Sequence, residues 1–414
     1  MKIVHIITRM ILGGAQENTL LTCEGLHKRG HEVVLITGPP LGPEGQLMDR
    51  AKAGGYGVIE LDGLRRAINP VHDLPVYFKL KKIFAEIDPD IVHTHSAKAG
   101  VLGRWAGAAR RKKDVQACCP TLEKFRAAQA AGCGRPRIIH TIHGLAFHPY
   151  QSALLNYPYI VIERSAAKYT DAFISVADAM TDEALAAGIG QKHQYTRIFS
   201  GLETETFLQE PSAEDTARIR RGHNIPSDAL VIATVARLFN LKGHEYIIES
   251  ARQLVPRHQE LIWLFIGDGK LRDQLERQIA AYQLTNHFRL TGLVPPESVG
   301  PLLHASDILI HCSLREGLAR ALPQALLCGK AVISFDIDGA REVVINNKTG
   351  FLIPPQDVPA LIEAQEKLIN DDNLRRRLGN AGRERCRKEF DHELMVDRIE
   401  RLYQSQAALL GPPK

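Results

Sequence analysis

At 414 residues, 44% hydrophobic and 24% charged, the chain is too long for one ordinary core and suits two α/β domains. Its 52 Lys+Arg against 47 Asp+Glu leave a net charge of +5, too small an excess to signal a nucleic-acid-binding protein, and no arginine–glycine or aromatic–basic repeat occurs. Seven cysteines without a CxxC pair argue against a zinc ribbon or thioredoxin-like motif and fit a reducing, cytoplasmic compartment, and no uncharged apolar run is long enough to span a membrane.

The first element, "KIVHIIT", reads as a buried strand; His5, Thr8 and Arg9 break the apolar run that a signal peptide would need. Further strands are predicted at "HEVVLIT", "GVIEL", "DIVHTH", "RIIHTIHG", "DAFISVA" and "YTRIFS". Between them, runs such as "AQENTLLTCEGLHKRG" and "VYFKLKKIFAEID" repeat apolar residues at helical spacing. Near-continuous apolar strands with helical crossovers imply a parallel sheet covered on both faces. One segment breaks the rhythm: "KKDVQACCPTLEKFRAAQAAGCGRP" delays the next strand, and "PTLEKFRAAQAAG" reads as a small extra helix. This insertion, about residues 110–135, is introduced by Arg110, Arg111, Lys112 and Lys113, and is either a surface excursion or a partner- or membrane-facing element.

A polar stretch with Pro211 and Pro226 marks the boundary, after which the alternation restarts with "ALVIATVARL", "LIWLFIGDG", "FRLTGLV", "DILIHCS", "AVISFDI" and "GFLIPP". The expected organisation is an N-terminal domain over 1–200, a C-terminal domain over 201–385, and a helical tail over 386–414 that crosses back to the first domain.

Ligands of open parallel sheets collect at the carboxyl ends of strands. After the first strand, Gly13-Gly14 opens a helix and turns backbone amides toward an anion, though the pattern is not the GxGxxG of a nicotinamide or flavin site. His93, His95, His140 and His143 lie at two neighbouring strand ends; alternate residues face opposite sides, and without HExxH or a carboxylate partner a metal is not expected. His143, beside Gly144, is the best placed of them to meet a polar ligand. In the second half, Arg237 ends a strand and Lys242 follows before Gly243, a pair of cations suited to a diphosphate. Gly267-Asp268-Gly269 forms a tight turn able to approach a base or ribose, and the backbone of "RLTGLVP" can meet a nucleobase edge. In "SLREGLARALPQALLCG" a helix is expected from about Ala319, with Pro323 where amides lack intrahelical partners. The amides around Gly317 to Arg320 would then hold phosphate, Glu316 would accept from sugar hydroxyls, and Gln324 would reach a ribose.

"ARL…KG", "IGDG", "REGL…PQAL" and "DGAREVV", following "GGAQ" and "TIHG", resemble family 4 of the retaining, nucleotide-sugar-dependent glycosyltransferases. The resemblance covers nearly the whole chain outside the insertion. It implies the GT-B fold, two Rossmann-like doubly wound parallel-sheet domains with the donor between them. It also implies roles: Arg237 and Lys242 on the donor diphosphate, Glu316 and His143 on the transferred sugar, Gly14 lining the cleft, and Gly267, Asp268, Leu293, Gly317, Leu318, Ala319 and Gln324 in donor binding. Two positions depart from the family: Gln324 replaces the second Glu of Glu–x7–Glu, and Asp338-Gly339 replaces Gly-Gly ahead of Glu342. The expected activity is transfer, with retention, of a sugar from a nucleoside diphosphate donor, by base rate a UDP-sugar, to a glycan, lipid-linked or small-molecule acceptor. No metal or other cofactor, no nucleic acid, and at most a weak peripheral contact with the inner membrane face are expected. A GT-B epimerase or hydrolase, or a non-catalytic nucleotide-sugar-binding protein, remains open on sequence alone.

Overall fold

The alternating strands and helices build two parallel sheets in the computed structural model, which describes residues 1–41, 45–67, 69–118, 121, 123 and 134–409. The chain divides into two compact units: Met1–Gly201 together with the chain from His392 on, and Leu202–Asp391.

The first unit holds β1 (Lys2–Ile7), β2 (Glu32–Thr37), β3 (Gly57–Glu60), β4 (Ile91–His95), β5 (Arg137–Ile142), β6 (Ala172–Ser175) and β7 (Tyr195–Arg197). All neighbours are parallel, in the order β3-β2-β1-β4-β5-β6-β7. The order reverses between β1 and β4, which makes their carboxyl ends the ligand-binding point of such a sheet. Strand periodicity sorts the core into two layers. Ile3, Ile7, Leu35, Ile91 and Ile139 face one way, and Val4, Ile6, Ile36 and Val92 face the other, against Val76, Leu80, Phe84 and Leu102.

The first of these layers is closed by the last helix, His392–Ala408, whose Met395, Val396, Ile399 and Tyr403 are no more than 2% exposed. Gly25 lets it come close: a Cβ there would lie 2.6 Å from Val396 Cγ2. Arg29 adds an ion pair to Glu400 at 2.8 Å, and His31 Nε2 lies 2.9 Å from the same carboxylate. The return to the first unit begins at His392, six residues beyond the expected 386. The reason is local: the helix Asp372–Glu389 continues through the buried Cys386, and buried Phe390 accepts from the Leu202 amide at 2.8 Å, so both stay with the second unit.

The second unit carries β8 (Leu230–Val235), β9 (Leu261–Ile266), β10 (Phe288–Leu290), β11 (Ile308–His311), β12 (Ala331–Phe335) and β13 (Gly350–Ile353), parallel in the order β10-β9-β8-β11-β12-β13. All six residues of β9 are buried, which is why "LIWLFI" shows no alternation. Here the order reverses between β8 and β11.

The extra helix expected over 120–132 lies, apart from residues 121 and 123, outside the described residues. The basic run before it sits on the helix Ala97–Cys118, where Arg110 pairs with Asp88 and Arg111 with Asp171. Two of its four cations are therefore engaged in structural pairs, and only Lys112 and Lys113 are exposed. No helix among the described residues is long and apolar enough to cross a membrane.

Candidate active site

The carboxyl ends of β8 and β11 bring together residues that are far apart in sequence. Lys242 lies in the loop between β8 and the helix His244–Leu254, and Glu316 in the loop after β11. The Lys242 ammonium donates to Glu316 Oε1, and His311 Nε2, at the end of β11, lies 3.5 Å from the same oxygen. The loop backbone is fixed from two sides. Leu314 N–H and the Ser313 hydroxyl both donate to Leu241 O, at 2.8 and 3.0 Å, and Glu316 N–H donates to Asp338 Oδ2 at 2.6 Å. Leu241 and Asp338 both hold left-handed backbone, with φ of 66° and 42°, uncommon for residues with side chains and often found at functional sites. Burial pushes the Glu316 carboxyl up, but the Lys242 ammonium and His311 outweigh it and hold the group well below the usual carboxylate range. Glu316 is thus an oriented carboxylate.

Arg237, exposed, follows β8, and its guanidinium stands 5.0 Å from the centroid of the Phe239 ring, with Lys270 Nζ 5.7 Å from that centroid. The turn Gly267-Asp268-Gly269 packs against this segment, since Leu238 N–H donates to Asp268 O at 3.0 Å. Gly267 also bridges Gly292, which sets exposed Leu293 beside the same turn. Gly317, Leu318 and Ala319 form a loop rather than a first helical turn. The helix starts at Ala321, two residues later than expected, because Arg320 takes the capping position and Gln324 N–H makes a helical bond to Arg320 O. Pro323 therefore occupies the third helical position, where its missing N–H costs no bond. Among the described residues, the N–H groups of Gly317, Leu318 and Ala319 meet no acceptor. Gln324, half-buried, is on that helix.

Gly14 and His143 belong to the first unit. Gly14 begins the helix Gly14–Lys28 after β1. His143 follows β5 and is half-buried. Strand alternation separates the histidines as the sequence suggests: His93 and His95 face one side of β4, and His140 faces the other, where Thr94 Oγ1 lies 2.9 Å from its Nδ1. His5, on β1, completes a group with His93 and His95 in which one ring nitrogen of each lies within 4.8 Å of the others. Each of the six ring nitrogens of these three already has a ring or hydroxyl partner. Burial lowers the pKa of His5 to about 3 and those of His93 and His95 well below the ordinary value, so the rings are neutral.

Two family models match this chain: a glycosyl transferase 4-like domain over residues 13–198 and glycosyl transferases group 1 over residues 215–385. The chain is a group 1 glycosyltransferase. Its two parallel-sheet units are those of the GT-B fold. Putative glycosyltransferase EpsD of Bacillus subtilis is 25% identical to this transferase over 82% of the chain and 83% of its own length. The Escherichia coli UDP-Gal:α-D-GlcNAc-diphosphoundecaprenol α-1,3-galactosyltransferase is 26% identical over 97% and 96%. The crystal structure of Anabaena HepE in complex with UDP matches with a TM-score of 0.77 at 19% identity, covering 98% of this chain and 100% of that one.

Sequence reading of the transferase missed three groups. His311 was hidden inside the apolar stretch "DILIHCS", although a His ending a buried strand at a switch point is a usable signal. Asp338 stood out only as a departure from Gly-Gly, with no hint that its carboxylate would anchor the Glu316 amide. Tyr403, in the final helix, lies 2.5 Å from His93 Nδ1, a contact that no spacing reveals.

Proposed function

We propose that this glycosyltransferase moves a sugar from a UDP-sugar to a glycan or lipid-linked acceptor, with retention of configuration and without a metal. The observation that carries the reading is the convergence of Lys242, Glu316, His311 and Asp338 at the carboxyl ends of β8 and β11. The diphosphate lies against Arg237, Lys242 and the N–H groups of Gly317 to Ala319. Glu316 accepts from hydroxyls of the sugar, a task that suits a carboxylate held ionised by Lys242 and His311, and Gln324 takes the ribose. Gly267, Asp268 and Leu293 receive the nucleoside. On the first unit, His143 is assigned to the sugar and Gly14 to the phosphate and acceptor. As the bond from sugar to phosphate breaks, charge grows on the departing oxygen, and cations and amides fixed in advance stabilise it. That oxygen takes the proton of the acceptor hydroxyl on the face it vacates, so neither a separate base nor a metal is needed. Support for a uridine donor comes from HepE, solved with UDP, and from the E. coli relative, named for UDP-galactose.

The same relative is named for a diphosphoundecaprenol acceptor, and two helices of the first unit each expose an apolar stripe suited to lipid. Val71, Leu74 and Phe78 on the helix Pro70–Ile87, and Leu154, Tyr157 and Val161 on the helix Ala153–Ala167, are exposed and recur at helical spacing. Exposed Lys79, Lys82 and Lys168 accompany them. An apolar stripe flanked by cations seats in the interface of an anionic membrane, and we assign the contact here rather than to the basic run at 110–113. Phe78→Glu with Leu154→Glu should abolish sedimentation with anionic vesicles at low salt; unchanged binding would exclude this surface.

The test of the transfer reading is a thermal-shift screen with nucleotide sugars, followed by incubation with acceptors and NMR of the product's anomeric centre. A donor at a hundred times its Kd should stabilise the protein by about 2.7 kcal/mol. Donor should persist without acceptor, activity should survive EDTA, and the product should keep the donor's configuration. Rapid hydrolysis or epimerisation of donor alone, or an inverted product, would sink the proposal.

A further inference from the structure

Phe239 has no part in the reaction set out above, yet it stands between the two cations that the reaction uses. Its half-buried ring carries the Arg237 guanidinium 5.0 Å from the centroid and Lys270 Nζ at 5.7 Å, both within the reach of about 6 Å at which an aromatic face attracts positive charge. Its backbone is equally central. Phe239 N–H donates to Arg237 O at 2.8 Å, a tight three-residue turn, and Lys242 N–H donates to Phe239 O at 3.3 Å, which closes the four-residue turn Phe239–Lys242. Leu241, with its φ of 66°, fills the third position of that turn, where one common class of turn takes left-handed backbone. Leu241 O then accepts from Leu314 N–H and the Ser313 hydroxyl, so the loop that carries Glu316 is tied to the same turn.

The ring is held from behind. Buried Leu238 precedes it and makes two main-chain bonds with the turn after β9: Leu238 N–H donates to Asp268 O, and Leu271 N–H donates to Leu238 O, each at 3.0 Å. Gly269 lets that turn come close, since a Cβ there would lie 2.6 Å from Phe239 Cδ2 and 2.4 Å from Leu238 O. Arg237 itself is exposed, and a long side chain in water has rotamer freedom to lose when it meets a ligand. A planar guanidinium laid on a fixed aromatic plate has lost part of that freedom in advance, which is the condition for stabilising a developing charge without reorganisation. The ring is not the sole partner of Arg237, and a double-mutant cycle isolates its share.

We propose that Phe239 is a positioning residue for the donor diphosphate, holding the Arg237 guanidinium on its ring and turning the chain into Lys242. That the ligand is a donor diphosphate rests on the transfer reading; the contact between ring and guanidinium does not. Lys270, drawn to the same ring, adds a third positive charge beside the other two, which suits a ligand carrying more than one negative charge.

The test is arginine side-chain NMR on the full chain, combined with UDP titration calorimetry. In the unmodified protein the Arg237 Nε–Hε proton should lie upfield of those of the other exposed arginines, shifted by the ring current of Phe239; a signal among theirs would overturn the proposal. Phe239→Leu keeps apolar bulk and removes the aromatic face. It should return that signal to the exposed-arginine position and weaken UDP binding about two- to fivefold, the share of one cation–π contact at an exposed site, with kcat reduced by at least the same factor. Phe239→Tyr keeps the ring and should retain both the shift and the affinity; a Tyr variant as weak as the Leu variant would overturn the proposal. In an Arg237→Ala background, Phe239→Leu should weaken UDP no further. An equal loss in both backgrounds would show that the ring acts through something other than Arg237, and the proposal would fall. If UDP does not bind at all, the transfer reading fails, while the Arg237 signal still decides the ring contact. If Phe239→Leu does not fold, the spectra of the unmodified chain and of Phe239→Tyr decide it.

Discussion

Lys242 and Glu316 share one hydrogen bond and one electrostatic fate. Under the proposed mechanism, Lys242→Ala and Arg237→Ala should each lower kcat by about 10²–10³, the usual effect of removing one preorganised partner of a developing charge; single-turnover rates near wild type in both would remove the mechanism. Glu316 makes a separate prediction about stability. Its carboxyl is held below its unfolded value, so its ionised form stabilises the fold above pH ~4.3, and that contribution is lost as pH falls through and below this value. Urea melts at successively lower pH should therefore show a shallower acid-side loss for Glu316→Gln than for wild type; equal slopes would show that the carboxylate is not held as described. Asp338→Ala frees the Glu316 amide and should lower turnover while sparing the fold. Of these residues, Arg237, Lys242 and Glu316 were singled out in the sequence as charged side chains after buried strands, and the structure brings Lys242 and Glu316 together. His311 and Asp338 were not, because their place beside Glu316 depends on three loops meeting.

At the scale of elements, the thirteen strands among the described residues could be read from apolar runs bounded by turn residues, because in most of them burial on both faces leaves little room for polar interruption; β3 and β7, at the sheet edges, hold no buried residue. Helix ends were less legible. The start at Ala321 is set by the backbone of Arg320 and not by a capping side chain, so no residue type marks it. The turn into the helix His244–Leu254 was marked by Gly243, and its role is steric as well as conformational. Gly243 has φ 74°, and a Cβ there would lie 1.9 Å from Cys312 O. Gly243→Ala would force apart the loops after β8 and β11, which carry Lys242 and Glu316. It should cost at least about 2–3 kcal/mol in urea denaturation, since a wrong left-handed backbone and a main-chain clash add, and donor affinity should fall with it. A loss below 0.5 kcal/mol, the usual range of a surface substitution, would mean that the loops are not locked together.

At the scale of the whole chain, the two units differ in how they are assembled from sequence. The second is one continuous stretch, Leu202–Asp391, and the first is completed by a helix from the far terminus. Ending the chain at Asp391 removes Met395, Val396, Ile399 and Tyr403 from the first unit's core. Each buried apolar side chain is worth about 1.5–3 kcal/mol, and together they approach the whole stability of a domain. The truncated protein should retain a protease-resistant fragment matching Leu202–Asp391 and lose protection over Met1–Gly201; a stable N-terminal fragment would contradict the packing. The discontinuity also bears on biogenesis. A ribosome adds about 5–20 residues per second, and domains generally fold in the order they emerge. Here the earliest-made sheet keeps one side open while the 190 residues of Leu202–Asp391 (391 − 201) are translated, a wait of roughly 10–40 s at those speeds. The nascent polypeptide is thus a natural client for chaperones, and codon-level slowing late in the message would prolong the exposure of its oldest part.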